Sequence, residues 1–229
     1  MKYFTAILFT FILSGCAQKT LIMDKKQKSL LNNKTLTFIE KSRPNRPDIS
    51  TPGKAIGAAM GGIFGAILLS VNDESISKLK TPSNYISKEI APFIANKYHM
   101  IFKKEKRKEK EETALSIMTS KRNIPELDQF KESYSSDYLL DVNTYNWIIT
   151  HRLWSGSASY LIVMRNNLRL IERESQKIIS STSCEYFPKS KEELLTHKEL
   201  FANNGEMIKE ESQKAINLCI EKIKTELFQ

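Results

Sequence analysis

Residues 138 to 182 read YLLDVNTYNWIITHRLWSGSASYLIVMRNNLRLIERESQKIISST, and their period of two decides the fold class. Tyr138, Leu140 and Val142 fall on one face of a strand with Leu139 and Asp141 on the other, and Tyr145, Trp147 and Ile149 continue the alternation. Trp154-Ser155-Gly156-Ser157 supplies a turn. The next strand places Tyr160, Ile162, Met164, Leu168 and Leu170 inward and Arg165, Asn167 and Arg169 outward. A hairpin loop at 172–176 and a strand from Lys177 to Thr182 complete an antiparallel meander.

Helical periods flank this meander. Thr81-Pro82-Ser83 opens a helix in which Ile86, Ile90, Phe93, Ile94, Tyr98 and Ile101 recur at three- and four-residue intervals. Pro92 predicts a kink or a restart, because it cannot bond the carbonyl of Lys88. The run Lys103 to Glu112 alternates six basic with four acidic residues, which reads as a solvated extension of that helix rather than an anion-binding patch. Asn123-Ile124-Pro125-Glu126 starts a short helix containing Leu127 and Phe130. Asn203 with Glu206 suggests a capping pair for a long last helix, whose buried face carries Ile208, Ala215, Ile216, Cys219, Ile223 and Leu227. Upstream, Leu36 and Phe38 mark a first strand within 34–40, and the prolines at 44 and 47 stop it. The expected class is therefore α+β: a largely antiparallel sheet of four to five strands flanked by helices.

Two segments stand apart from that pattern, the second of them, 53–71, within the bounds of the domain. Met1-Lys2, an apolar run from Tyr3 and the close Leu13-Ser14-Gly15-Cys16 form a secretory signal, too short for a comfortable bilayer span. That close resembles the lipobox of bacterial lipoproteins. The resemblance implies a diacylglyceride thioether on Cys16, cleavage before it, and amide acylation of the new terminus by a fatty acid such as palmitate. Three acyl chains exceed what stable anchoring needs. Ala17 after the cysteine, rather than Asp, is similar to lipoproteins sorted to the periplasmic face of the outer membrane. The organisation expected is signal peptide 1–15, a polar tether 16–33 and a periplasmic domain 34–229.

The second segment is 55–71, seventeen residues with Ser70 alone polar, preceded and threaded by Gly53, Gly57, Gly61 and Gly65. In a helix these glycines form one flat stripe, a glycine zipper that lets another backbone approach closely. Each also weakens a water-exposed helix by about 1 kcal/mol relative to Ala, so the segment needs a packed partner or apolar surroundings. Its own domain, a self-association interface and the bilayer are the three environments open to it, the first two favoured. At 1.5 Å per residue the run reaches only about 25 Å, at the lower limit for a span.

Of 229 residues, 41% are hydrophobic and 27% charged, which excludes disorder and a polytopic membrane protein. The net charge of +9 falls to +8 once Lys2 leaves with the signal. Anionic envelope lipids or polymers and a plain solubilising surface both account for it. Nucleic acid is excluded by compartment. Cys184 and Cys219 lie in an exported chain, where a disulfide clipping the last helix to the sheet is expected, two separately buried thiols being the alternative. His99, His151 and His197 show no ligand spacing, so no metal or cofactor is expected. Ser155-Gly156-Ser157 lacks the frame of a nucleophile elbow, and Glu89, Asp141 and Glu172 sit on separate elements, so no enzyme is expected.

Arg46-Pro47-Asp48 before Thr51-Pro52-Gly53-Lys54-Ala55, Asp141-Val142-Asn143-Thr144 with Trp147, Cys184, and Asn204-Gly205 leading to Cys219 occur in the order seen in a group of proteobacterial outer-membrane lipoproteins with no assigned activity, which the chain resembles. The element order is also similar to periplasmic domains of the curli secretion lipoprotein and the amino-terminal domain of TolB, at the level of fold, which lends no function. Two functions follow as expectations: a lipid-anchored, non-catalytic envelope protein that binds a protein or cell-envelope partner, or a subunit of an oligomeric membrane assembly or secretion channel with 55–71 inserted or self-associating.

Overall fold

The computed structural model describes residues 20–41, 48–49, 81–105, 128–152, 159–188 and 195–227. They form a mixed α+β domain around one seven-stranded sheet. In chain order the elements are α1 (Lys25–Ser29), β1 (Thr35–Phe38), β2 (Asp48–Ile49), α2 (Pro82–Lys97), β3 (Ile101–Phe102), α3 (Asp128–Ser133), β4 (Tyr138–Arg152), β5 (Ser159–Glu172), β6 (Lys177–Tyr186), β7 (Leu195–Thr196), α4 (His197–Phe201), a 3-10 turn (Ala202–Gly205) and α5 (Glu206–Leu227).

The spine is the β4-β5-β6 meander, with β4 and β5 paired from Tyr138↔Glu172 to Arg152↔Ser159. Fifteen residues of β4 give a ribbon about 50 Å long. The sheet order is β3-β1-β4-β5-β6, with β2 also on β4 and β7 also on β5. The sheet thus has more strands than the four to five expected, because β2, β3 and β7 are two-residue strands with no readable period. It is also less uniformly antiparallel. β1 runs parallel to β3 and β4, and β2 parallel to β4. The crossover that a parallel pair requires is α2, which lies between β1 and β3 in the chain. At the start of β4, Asp137 accepts from the backbone N–H and the hydroxyl of Thr35 at 2.8 and 2.7 Å. These bonds, outweighing partial burial, hold its carboxyl below the usual range and pin β1 against β4.

One sheet face carries the main core. Leu140, Val142, Ile149, Ile162, Met164, Leu168 and Leu170 pack there against Ile86, Ile90 and Ile94 of α2 and Ile208, Ile216 and Ile223 of α5. The opposite face buries a smaller cluster of Ile39, Tyr134, Leu139 and Ile171. No helix among the described residues is long and apolar enough to cross a membrane.

Several local features depart from the sequence pattern. The strand period slips at Tyr145, which is half exposed while Trp147 and Ile149 are buried. The ladder shifts register between Thr144 and Asn146, so Tyr145 is the extra residue of a β-bulge. Helix α2 is unbroken across Pro92, since Pro92 and Lys88 lie on the exposed side and the freed carbonyl can bond water. It ends at Lys97, and His99 at φ 54 turns the chain into β3, where Ile101 is exposed. Residues 103–105 accordingly do not extend the helix, and the rest of the charged run lies outside the described residues. Within 20–33, Leu21 bridges Ser181 of β6, Met23 and Leu31 join the core, and Asp24 with Gln27 makes a capping box for α1. Asn203 falls inside the 3-10 turn at φ 50 instead of capping α5. The capping box that does form downstream is Thr196 with Glu199, on α4. Strand β6 runs on from Thr182 to Tyr186, which carries Cys184 into the sheet.

Candidate functional site

The two downstream cysteines come together. Cys184 on β6 and Cys219 on α5 are joined by a disulfide with alpha carbons 5.5 Å apart. Alternation along β6 turns Cys184 and Tyr186 toward the helix, and the stripe of α5 turns Cys219 toward the strand. Beneath the bridge sits Asn166 of β5, in phase with Met164 and Leu168 and equally buried. Its amide donates to the sulfur of Cys219 at 3.3 Å and more weakly to that of Cys184, while its carbonyl accepts from the Thr144 hydroxyl at 2.6 Å. A polar thread therefore crosses the core from the bulge of β4 to the disulfide, with each member hydrogen-bonded as burial demands.

Outside the disulfide the end of β6 and α5 diverge into a groove of about 320 Å³, lined by Phe187, Lys214, Leu218 and Lys222 above the two cysteines. Phe187 and Leu218 are 45% and 52% exposed, so an apolar strip faces solvent here. Lys214 and Lys222 stand four residues either side of Leu218, one helical turn away on the same face. Their ion pairs to Glu211 and Glu226 are long, 3.7 Å each, and exposed, and contribute little. Glu185, also on the rim, is held by Arg165 at 2.6 Å. Tyr186 also lines the groove, its hydroxyl donating to Glu211 at 2.8 Å.

A second polar cluster lies on the opposite sheet face. Asp141 of β4, 1% exposed, accepts from the Lys41 ammonium at 2.6 Å and from the guanidinium of Arg169, its register partner on β5. Arg169 is thus buried rather than outward as its strand phase suggested. Burial by itself would raise the Asp141 carboxyl, but Lys41 and Arg169 outweigh it and hold it below the usual range. Asn84 of α2 grips the backbone of Lys41 on both sides, accepting from its N–H at 2.8 Å and donating to its carbonyl at 3.0 Å. The cluster locks β1, α2, β4 and β5 together and reads as structural.

Cys16, Gly53, Gly57, Gly61 and Gly65 lie outside the described residues. Glu89 and Glu172 lie on separate elements, and Trp147 is buried in the main core. Among the described residues no group of three or more metal-ligating side chains gathers. Sequence reasoning missed Asn166, Phe187 and Leu218. A polar residue at an inward phase of β5 was the one available signal, for Asn166.

No protein-family model matches the chain, and no curated protein matches it. Solved structures do. A neuraminyllactose-binding hemagglutinin homolog from Helicobacter pylori is 14% identical, covers 87% of this chain and 85% of its own, and superposes with a TM-score of 0.39. A lipoprotein from Neisseria meningitidis is 8% identical, covers 80% of this chain and 99% of its own, with a TM-score of 0.26. Scores this low fix neither the fold nor a function for the present chain. Neither of these two structures is a curli secretion lipoprotein or a TolB domain.

Proposed function

We propose that the protein is a lipid-anchored envelope protein whose domain, held at the outer membrane through Cys16, binds a partner protein without catalysing a reaction. The observation that carries the binding half is the groove beside the disulfide, where Phe187 and Leu218 remain exposed between two loosely paired lysines. An apolar strip flanked by positive charge is complementary to a partner segment that presents an apolar side chain beside a carboxylate. The disulfide beneath supports that role by fixing the two walls relative to each other, so little ordering cost falls on binding. The anchoring half is supported by Leu13-Ser14-Gly15-Cys16 following an apolar run.

Each half has its own test. Cys16→Ser should release or stall the protein, and normal processing with undiminished outer-membrane partitioning would overturn the anchor. For the groove, a photo-crosslinker at Leu218 in intact cells should give an adduct of one defined mass that Lys214→Glu with Lys222→Glu removes, while a crosslinker at exposed Lys209 gives none. Adducts indifferent to the charge reversal would overturn the groove as the binding surface.

A further inference from the structure

We infer that the stretch from Leu21 to Leu30 is a second contact surface, which lays the domain on an anionic phospholipid bilayer. The inference rests on the anchoring reading above. Among the described residues eight large apolar side chains are exposed, and three of them, Leu21, Ile22 and Leu30 at 43%, 58% and 55%, crowd into these ten positions. The packing explains why they are left out. Met23 and Leu31 carry the inward anchoring of α1, and the backbone of Leu21 is tied in both directions to Ser181, so the neighbouring apolar side chains are held outward on a fixed platform. Lys25 and Lys26 are exposed between them, and Asp24, the one acidic residue from 20 to 34, is engaged with the backbone N–H of Gln27 at 2.7 Å. Apolar side chains interleaved with lysines suit the headgroup boundary of anionic lipid, where both kinds of group find partners.

The chain length points to the same occupant. Five residue steps separate Cys16 from Leu21, so a lipidated Cys16 holds Leu21 within about 18 Å of the bilayer surface. At that distance the surface is present at high effective concentration, and even weak affinity orients the domain. The groove at Leu218 needs a partner segment, whereas the Leu21 to Leu30 patch needs only lipid.

The test uses residues 17–229, which contain every described element and lack the acyl site. Co-sedimentation with vesicles of phosphatidylethanolamine and phosphatidylglycerol should show binding that pure phosphatidylcholine does not support. Ile22→Ser with Leu30→Ser should lower the partition coefficient by about tenfold or more, and Lys25→Glu with Lys26→Glu should abolish the preference for anionic lipid. All four side chains are exposed, and circular dichroism of each variant checks that the fold is kept. Absence of vesicle binding by the native chain, or binding by both double variants equal to that of the native chain, would overturn the patch. Mass analysis of Cys16 in the full chain tests the anchor separately: a diacylated Cys16 with no vesicle binding leaves the anchor standing and removes the patch, and an unmodified Cys16 with lipid binding does the reverse.

Discussion

Asp141 is the residue on which the sheet's second face depends. Its carboxylate accepts from the side chains of both Lys41 and Arg169, and both cations are partly or wholly withdrawn from water. Asp141→Asn leaves the buried guanidinium of Arg169 and the partly buried ammonium of Lys41 without a countercharge and should cost about 3 to 5 kcal/mol in urea unfolding at neutral pH. The pH dependence has a definite sign. The folded carboxyl is held below its unfolded value of about 3.9, so it stabilises the fold above that pH and ceases to do so as pH falls through the lowered value. Asp141→Asn should therefore flatten the acid limb of the stability curve below about pH 4, measured as urea midpoints across the range. None of this was legible in the sequence, where Arg169 has an outward phase. Only the register Asp141↔Arg169, fixed when the two strands pair, puts the charges opposite each other.

At the scale of elements, α5 is held to β6 by two different means. Ile216, Ile220 and Ile223 bury against the core, and the Cys184 to Cys219 bridge closes a loop of 35 residues. Loop closure of that length stabilises by about 3 to 4 kcal/mol in the chain-entropy account. Reduction should thus lower the urea midpoint by a corresponding amount while leaving the far-ultraviolet helix signal intact in the absence of denaturant, because the apolar stripe of α5 remains buried. The helices α2 and α5 and the four longer strands were legible because each sustains its period over several repeats. The short strands and the bulge were not: two residues carry no period, and a bulge reads locally as continued alternation until the ladder shows the slip at Tyr145.

For the molecule as a whole, the four-residue spacing of Gly57, Gly61 and Gly65 leads us to propose a close backbone contact, should 55–71 form a helix. On that proposal Gly61→Leu, by adding a bulky side chain to the stripe, should reduce folding yield or oligomer size, read by sedimentation velocity. Gly61→Ala should be near native, adding one methyl while improving helix propensity by about 1 kcal/mol. Native behaviour of both variants, carbonate extraction included, would show that the spacing is incidental.

What the sequence by itself determined was the α+β class of the domain, because periods of two and of three to four are properties of consecutive residues. Tertiary structure alone decided which residues of separate elements meet. It set Asn166 under the disulfide, Arg169 against Asp141, β1 parallel to β4, and the segment from Thr20 onto the edge of β6. The physical reason is that pairing register and helix docking are fixed by the summed burial of many side chains far apart in the chain, a quantity no local window contains.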